Sequence, residues 1–194
     1  MVIPGLLVEY FINGALAIIW LYPLYTKLIT TSTFVSYLNA DKPMLAIVLA
    51  ASIYFIGMTI DIIAWASTRR IKKRIVRKKV IDKHFKGERV DTNSISREVM
   101  LAVYAPDVAK ESAMRSSRDR IARGAIINSI IATFVFAILT GHPWLSIAAG
   151  VIFTIICFRM WIGFEKISFE YELNAEKILK KKYPELKNQD VKNQ

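Results

Sequence analysis

Apolar residues in this chain gather in blocks instead of alternating with polar ones. Four blocks stand out: Pro4–Tyr25, Met44–Ala66, Gly124–Thr140 and Pro143–Phe164. A hydrocarbon core takes about 20 residues to cross at a helical rise of 1.5 Å. None of the blocks shows the polar return every 3.6 residues that a half-solvated helix needs. The third is the shortest, and is read as a span because its neighbours leave it nowhere else to go. The pattern predicts an all-α integral membrane protein with four transmembrane helices.

The helical pattern runs past the ends of these blocks. From Met44 to Lys86 there is no proline and the only glycine is Gly57, so one helix of about 64 Å is expected, stopping at Gly87. Gly87–Asn93 reads as a turn. Ser94 or Ser96 then caps a short helix through Tyr104, and Pro106 opens the next, which continues into the third block. After the fourth block, Phe164, Ile167, Tyr171, Ala175 and Ile178 recur at helical spacing as a stripe to be buried. Glu176 and Lys180 form an i,i+4 pair there, and Pro184 ends the helix. Extensions of spans two, three and four are therefore expected to build a cytoplasmic helical stalk. The resulting organisation is spans one and two over 1–66, a basic cytoplasmic helical region over 67–123, spans three and four over 124–164, and a C-terminal helix and tail over 165–194.

Composition agrees with the blocks. An apolar fraction of 54% and a mean hydropathy of +0.33 are too high for a soluble domain of 194 residues. The first block lacks a basic leader, carries Glu9 early and has no small-residue cleavage site, so it is expected to be retained. The single cysteine, Cys157, excludes an intrachain disulfide. With only His84 and His142 besides, on expected opposite sides of the membrane, no metal site is expected, and no motif calls for a cofactor.

Charge sets the orientation. Of the net +11, the segment Ser67–Arg123 carries 17 Lys and Arg against seven Asp and Glu. The connections Thr26–Pro43 and Gly141–Pro143 carry almost none. Basic segments flanking spans stay on the inner side, which places both termini inside the cell, in its inner (plasma) membrane.

That topology brings four polar residues of the spans to one depth. Glu9, Asp61, Asn128 and Arg159 each lie four to five residues in from the inner end of a span, about 6–8 Å, with Asn13 one turn beyond Glu9. Charge in hydrocarbon costs about 2.5–3.5 kcal/mol at the bilayer centre, so such groups turn inward and pair. The expectation is an intramembrane polar cluster in which Arg159 serves the two carboxylates. A register-fixing salt bridge, snorkelling of Arg159, and an ion- or headgroup-binding constriction remain open for it. Small residues, among them Gly14, Gly57 and Gly150, suit close packing within the chain or between copies. Trp20, Trp65, Trp144 and Trp161 read as interface anchors.

The basic residues form the second candidate site, a patch for lipid or a partner: Arg69, Arg70, Lys72, Lys73, Arg74, Arg77, Lys78, Lys79, Arg115, Arg118, Arg120 and Arg123. The last four fan over roughly 200° of helix circumference at 100° per residue, too wide for one phosphate pocket, so they are expected to be solvated or headgroup-facing. Anionic lipid headgroups and an acidic cytosolic protein are the expected partners. Nucleic acid is the weaker alternative, since no aromatic interleaving accompanies the charge. No catalytic motif appears. The expected function is a non-enzymatic, homo-oligomeric membrane subunit whose basic region recruits or senses a soluble partner. The alternative is a multimeric pore or ion-conducting effector, such as a stress or anti-phage system employs, built on the polar layer.

Overall fold

The computed structural model describes residues 3–28, 42–84 and 94–184. These are helical apart from short turns, with no strand among the described residues. α1 covers Ile3–Leu28 and α2 covers Lys42–Ile71. A π-helical segment, Lys72–Arg77, follows, and α3 runs over Lys78–His84. α4 spans Ser94–Tyr104, α5 Pro106–Leu139 and α6 Pro143–Lys182. Four stretches are long and apolar enough to cross a membrane: Leu7–Lys27, Ala46–Asp82, Pro106–Leu139 and Pro143–Lys182.

Local chemistry accounts for most boundaries. Pro106 and Pro143 each open a helix, where a missing N–H is no loss. Asp107 lies in the first turn of α5 and Lys180, Lys181 and Lys182 in the last turn of α6, each favourable to the helix dipole. The connection expected over Thr26–Pro43 is shorter, because α1 continues to Leu28 and α2 starts at Lys42. The Gly87–Asn93 turn and the residues after Leu186 lie outside the described residues. The α-helix expected from Met44 to Lys86 is interrupted by the π segment. No Pro or Gly marks that change, so residue pattern could not announce it.

The chain divides into two compact units, Met1–Arg69 with Asp119–Trp161, and Arg70–Arg118 with Ile162–Gln194. In the first, α1 and α2 cross with their backbones in contact. A Cβ on Gly14 would fall onto the carbonyl of Ile53, and one on Gly57 onto the carbonyl of Tyr10. The rings of Tyr10 and Tyr54 meet edge to face at 5.5 Å beside this crossing. Residue order along these contacts makes α1 and α2 antiparallel. α5 runs parallel to α1, with Arg120 at Glu9, Gly124 at Asn13 and Asn128 at Trp20. α6 runs antiparallel to α5 through Ser129 with Thr154 and Thr133 with Gly150. The outer faces are apolar: Leu7, Phe11, Ile19, Phe55, Ile62, Phe134, Ile138, Ile152 and Ile155 are all exposed. These exposed side chains belong to the helices that are long and apolar enough to cross a membrane.

The second unit is organised around the C-terminal half of α6. Phe169 and Leu173 pack with Val80 and Ile81 of α3. The guanidinium groups of Arg77 and Arg97 both lie against the Phe169 ring, at 5.0 and 5.6 Å from its centroid. This corrects the expected stripe. Ile167 and Ile178 are exposed, and the buried face carries Glu165, Ser168, Phe169, Leu173 and Leu179. Three apolar and two polar residues make a poor hydrophobic stripe, but each acid on that side of α6 meets a cation.

Candidate functional site

The polar layer of the first unit begins with two turns of α5. Arg120 Nη1 reaches Glu9 Oε2 at 3.1 Å, and Arg123 Nη2 reaches Asp61 Oδ1 at 2.8 Å. Residues three apart on a helix are separated by about 60° around the axis, so one helix can serve two neighbours, α1 through Arg120 and α2 through Arg123. The Glu9 side chain is 4% exposed and that of Arg123 6%, so both belong to the interior. Asp119, one turn before Arg123, stands 3.7 Å from its Nη1.

Above the two pairs lies an amide step. Asn128 donates its Nδ2–H to the backbone carbonyl of Asn13 at 3.0 Å and accepts from Trp20 Nε1 at 3.0 Å. The Asn13 side chain is fully buried against Gly124, where any Cβ would collide with its carboxamide. Neither amide atom of Asn13 has a hydrogen-bond partner among the described residues, and the same holds for Arg123 Nε and Trp161 Nε1.

Glu9, Asn13, Asp61 and Asn128 are thus gathered by α1, α2 and α5, but the cation expected among them is a different one. Arg159 is exposed on α6 and makes no ion pair among the described residues. Arg120 and Arg123 take its place and leave the surface patch to which the sequence assigned them. Across the 200° fan, Arg115, Arg120 and Arg123 meet different carboxylates, and only Arg118 is exposed as expected. Two tryptophans also differ from the anchor reading: Trp20 is bonded inward, and Trp161 is fully buried. Trp144 and Trp65 are exposed, with Arg69 5.0 Å from the Trp65 ring.

The basic patch divides into engaged and exposed members. Lys72 Nζ is 2.6 Å from Glu165 Oε2, and Arg77 Nε is 3.4 Å from Oε1 of the same carboxylate. An α-helix would turn residues five apart about 140° away from each other. The i→i+5 bonding of the π segment brings them onto one acid. Arg115 holds Glu111 at 2.7 Å and lies 4.4 Å over the Tyr171 ring. With the Tyr171 hydroxyl donating to the other oxygen at 3.2 Å, Glu111 is held below the usual carboxylate range, by Arg115 first and Tyr171 second. Desolvation, then the bond to Glu111, pushes the Tyr171 phenol up. Arg69, Arg70, Lys73, Arg74, Lys78, Lys79 and Arg118 remain exposed.

Sequence reasoning missed Arg97. It is buried on α4 with Nε 2.6 Å from Glu176 and Nη1 3.9 Å from Glu172, while Ser112 donates to Glu172 at 2.9 Å. The available signal was an arginine within the short apolar helix 94–104. The Glu176–Lys180 pair stands at 2.8 Å. No group of three or more His, Cys, Asp or Glu able to hold a metal occurs among the described residues. No family model matches the chain, and no curated protein or solved structure matches it.

Proposed function

We propose that the chain is a four-span, non-enzymatic membrane subunit with both termini inside the cell, and that it self-associates and recruits an acidic soluble partner through its second unit. The observation that supports this reading is the division of labour among the cations. Arg120 and Arg123 are committed to the carboxylates of the spans, and Lys72 and Arg77 to Glu165. Arg70, Lys73, Arg74, Lys78 and Lys79 stay exposed on one helical stretch of a unit holding 21 Lys and Arg against 12 Asp and Glu. A field of one sign steers and holds an oppositely charged surface.

The test has two parts. In a Cys157→Ser background, cysteines placed at His142 and Lys73 should label from opposite sides of sealed vesicles, His142→Cys from outside. Cross-linking in mild detergent should then recover a cytosolic protein and a self-associated form. Charge reversal at Lys73, Arg74, Lys78 and Lys79 should abolish capture of the former. Labelling of both positions from one side, or capture indifferent to charge reversal, refutes the reading.

A multimeric pore is the second reading, favoured by the buried carboxamide of Asn13, which has no hydrogen-bond partner among the described residues. Two carboxylates closed by arginines leave it little acidic lining. Liposomes that hold the purified protein and show no ion flux at any density would remove it.

A further inference from the structure

Arg159 is the one basic residue of the expected polar layer, and it pairs with no described acid. It is exposed on α6 within the stretch long and apolar enough to cross a membrane, and it has no ion pair among the described residues. An arginine on such a face demands an anion or a route to water. The described carboxylates of the first unit are Glu9, Asp61 and Asp119, all shielded, with side-chain exposures of 4%, 14% and 4%. Each already faces Arg120 or Arg123. Neither this chain nor a second copy therefore offers Arg159 a described intramembrane carboxylate.

The surroundings indicate which anion fits. Ile152, Ile155 and Ile156 lie seven, four and three residues before Arg159, on the same helical face, and all three are exposed, at 60%, 53% and 49%. The face is an aliphatic track ending in a guanidinium. An acyl chain lying along the isoleucines with its phosphate at the arginine matches it in both polarity and order. Arginine also suits phosphate through its planar, multi-donor fork.

We propose that Arg159, with Ile152, Ile155 and Ile156, forms a binding site for one anionic phospholipid. The site rests on the membrane-spanning part of the proposed function and is separate from the exposed lysines of the second unit.

Native mass spectrometry on protein titrated with phosphatidylglycerol or with phosphatidylcholine tests it. The wild type should retain one phosphatidylglycerol in several-fold preference to phosphatidylcholine. Arg159→Gln should reduce that preference at least threefold, Arg159→Lys should keep part of it, and Lys78→Gln with Lys79→Gln should leave it unchanged. Inorganic phosphate at millimolar concentration should fail to displace the lipid, because it brings no acyl chain. Equal retention of the two lipids by the wild type overturns the site, as does an unchanged preference in Arg159→Gln or displacement by free phosphate. Should Arg159→Gln not fold, the wild-type comparison and Arg159→Lys still decide. Carbonate extraction separates the two ideas: release of the protein from membranes defeats the span reading, whereas firm retention without lipid preference defeats only the lipid site.

Discussion

Removal of the Arg123 guanidinium should be among the most damaging polar changes in this protein. The Arg123 side chain is 6% exposed and that of its partner Asp61 14%, with 2.8 Å between the interacting atoms. Arg123→Gln leaves Asp61 without its ion pair and also takes a cation from Asp119, 3.7 Å away. Breaking a buried pair by deleting one member costs about 3–5 kcal/mol, because the survivor keeps its desolvation cost. At about 2–4 °C per kcal/mol for a chain of this size, the midpoint should fall by about 6–20 °C. Asp61→Asn should cost less, about 1–3 kcal/mol, since Arg123 retains Asp119 and the amide still accepts a hydrogen bond. The double variant should cost less than the sum of the singles, with a coupling of about 1–3 kcal/mol. Cys157 provides the assay: its buried thiol should react with a fluorogenic maleimide only as the helices part, so a thermal ramp in detergent reads the midpoint. Arg159→Gln serves as the control and should shift it little, because no described ion pair is lost. The assignment of Arg123, and not Arg159, as the interior cation fails if the two variants shift the midpoint equally, or if the Arg123 and Asp61 effects add.

Gly57→Leu should destabilise by about 1–3 kcal/mol through overpacking against the Tyr10 carbonyl, while Gly163→Ala, whose Cβ meets open space within α6, should stabilise by about 1 kcal/mol on the same ramp. Asn13→Leu should be neutral or stabilising by up to about 3 kcal/mol, since the buried carboxamide has no described partner to lose; a midpoint lowered by several degrees would mean that something outside the chain satisfies that amide. Glu111 is held below its usual pKa of 4.5 in the folded state, so its contribution is complete above that value and is lost as pH falls through the lowered one. The midpoint difference between wild type and Glu111→Gln should accordingly be full at neutral pH and vanish in acid, and a difference that grows on acidification contradicts the Arg115 and Tyr171 contacts.

Helix positions were legible because they depend on one-dimensional signals. Long apolar blocks, Pro106 and Pro143 at helix starts, and the absence of proline between Met44 and Lys86 need no knowledge of neighbours. The π segment at Lys72–Arg77 was not legible, because its reason sits on α6: Glu165 accepts from both ends of the segment, and nothing within KKRIVR records that. The apolar stripe on α6 misled for a related reason. Ile167 and Ile178 looked like core by residue type, but the face that packs carries Phe169 and Leu173 beside Glu165, Glu172 and Glu176, whose cations Lys72, Arg77 and Arg97 lie on other segments.

The polar layer shows where counting along a chain stops and geometry begins. Depth can be counted from a span's end, and depth alone put Glu9, Asp61, Asn128 and Arg159 on one level. Partnership also needs azimuth, the direction in which a side chain leaves its helix, and for that the contacts on both sides must be known. α5 meets Glu9 at Arg120, Asn13 at Gly124 and Trp20 at Asn128, one contact per helical turn or two, and this register sets the half-buried Arg120 on Glu9 and turns Arg123 inward. Both arginines precede the apolar block, so a charge count assigns them to the basic connection expected to set orientation. Yet the helix that carries them begins at Pro106, more than three turns earlier. Within that one helix Arg120 pairs with Glu9 of α1 and Arg123 with Asp61 of α2, whereas Arg159 on α6 makes no ion pair among the described residues.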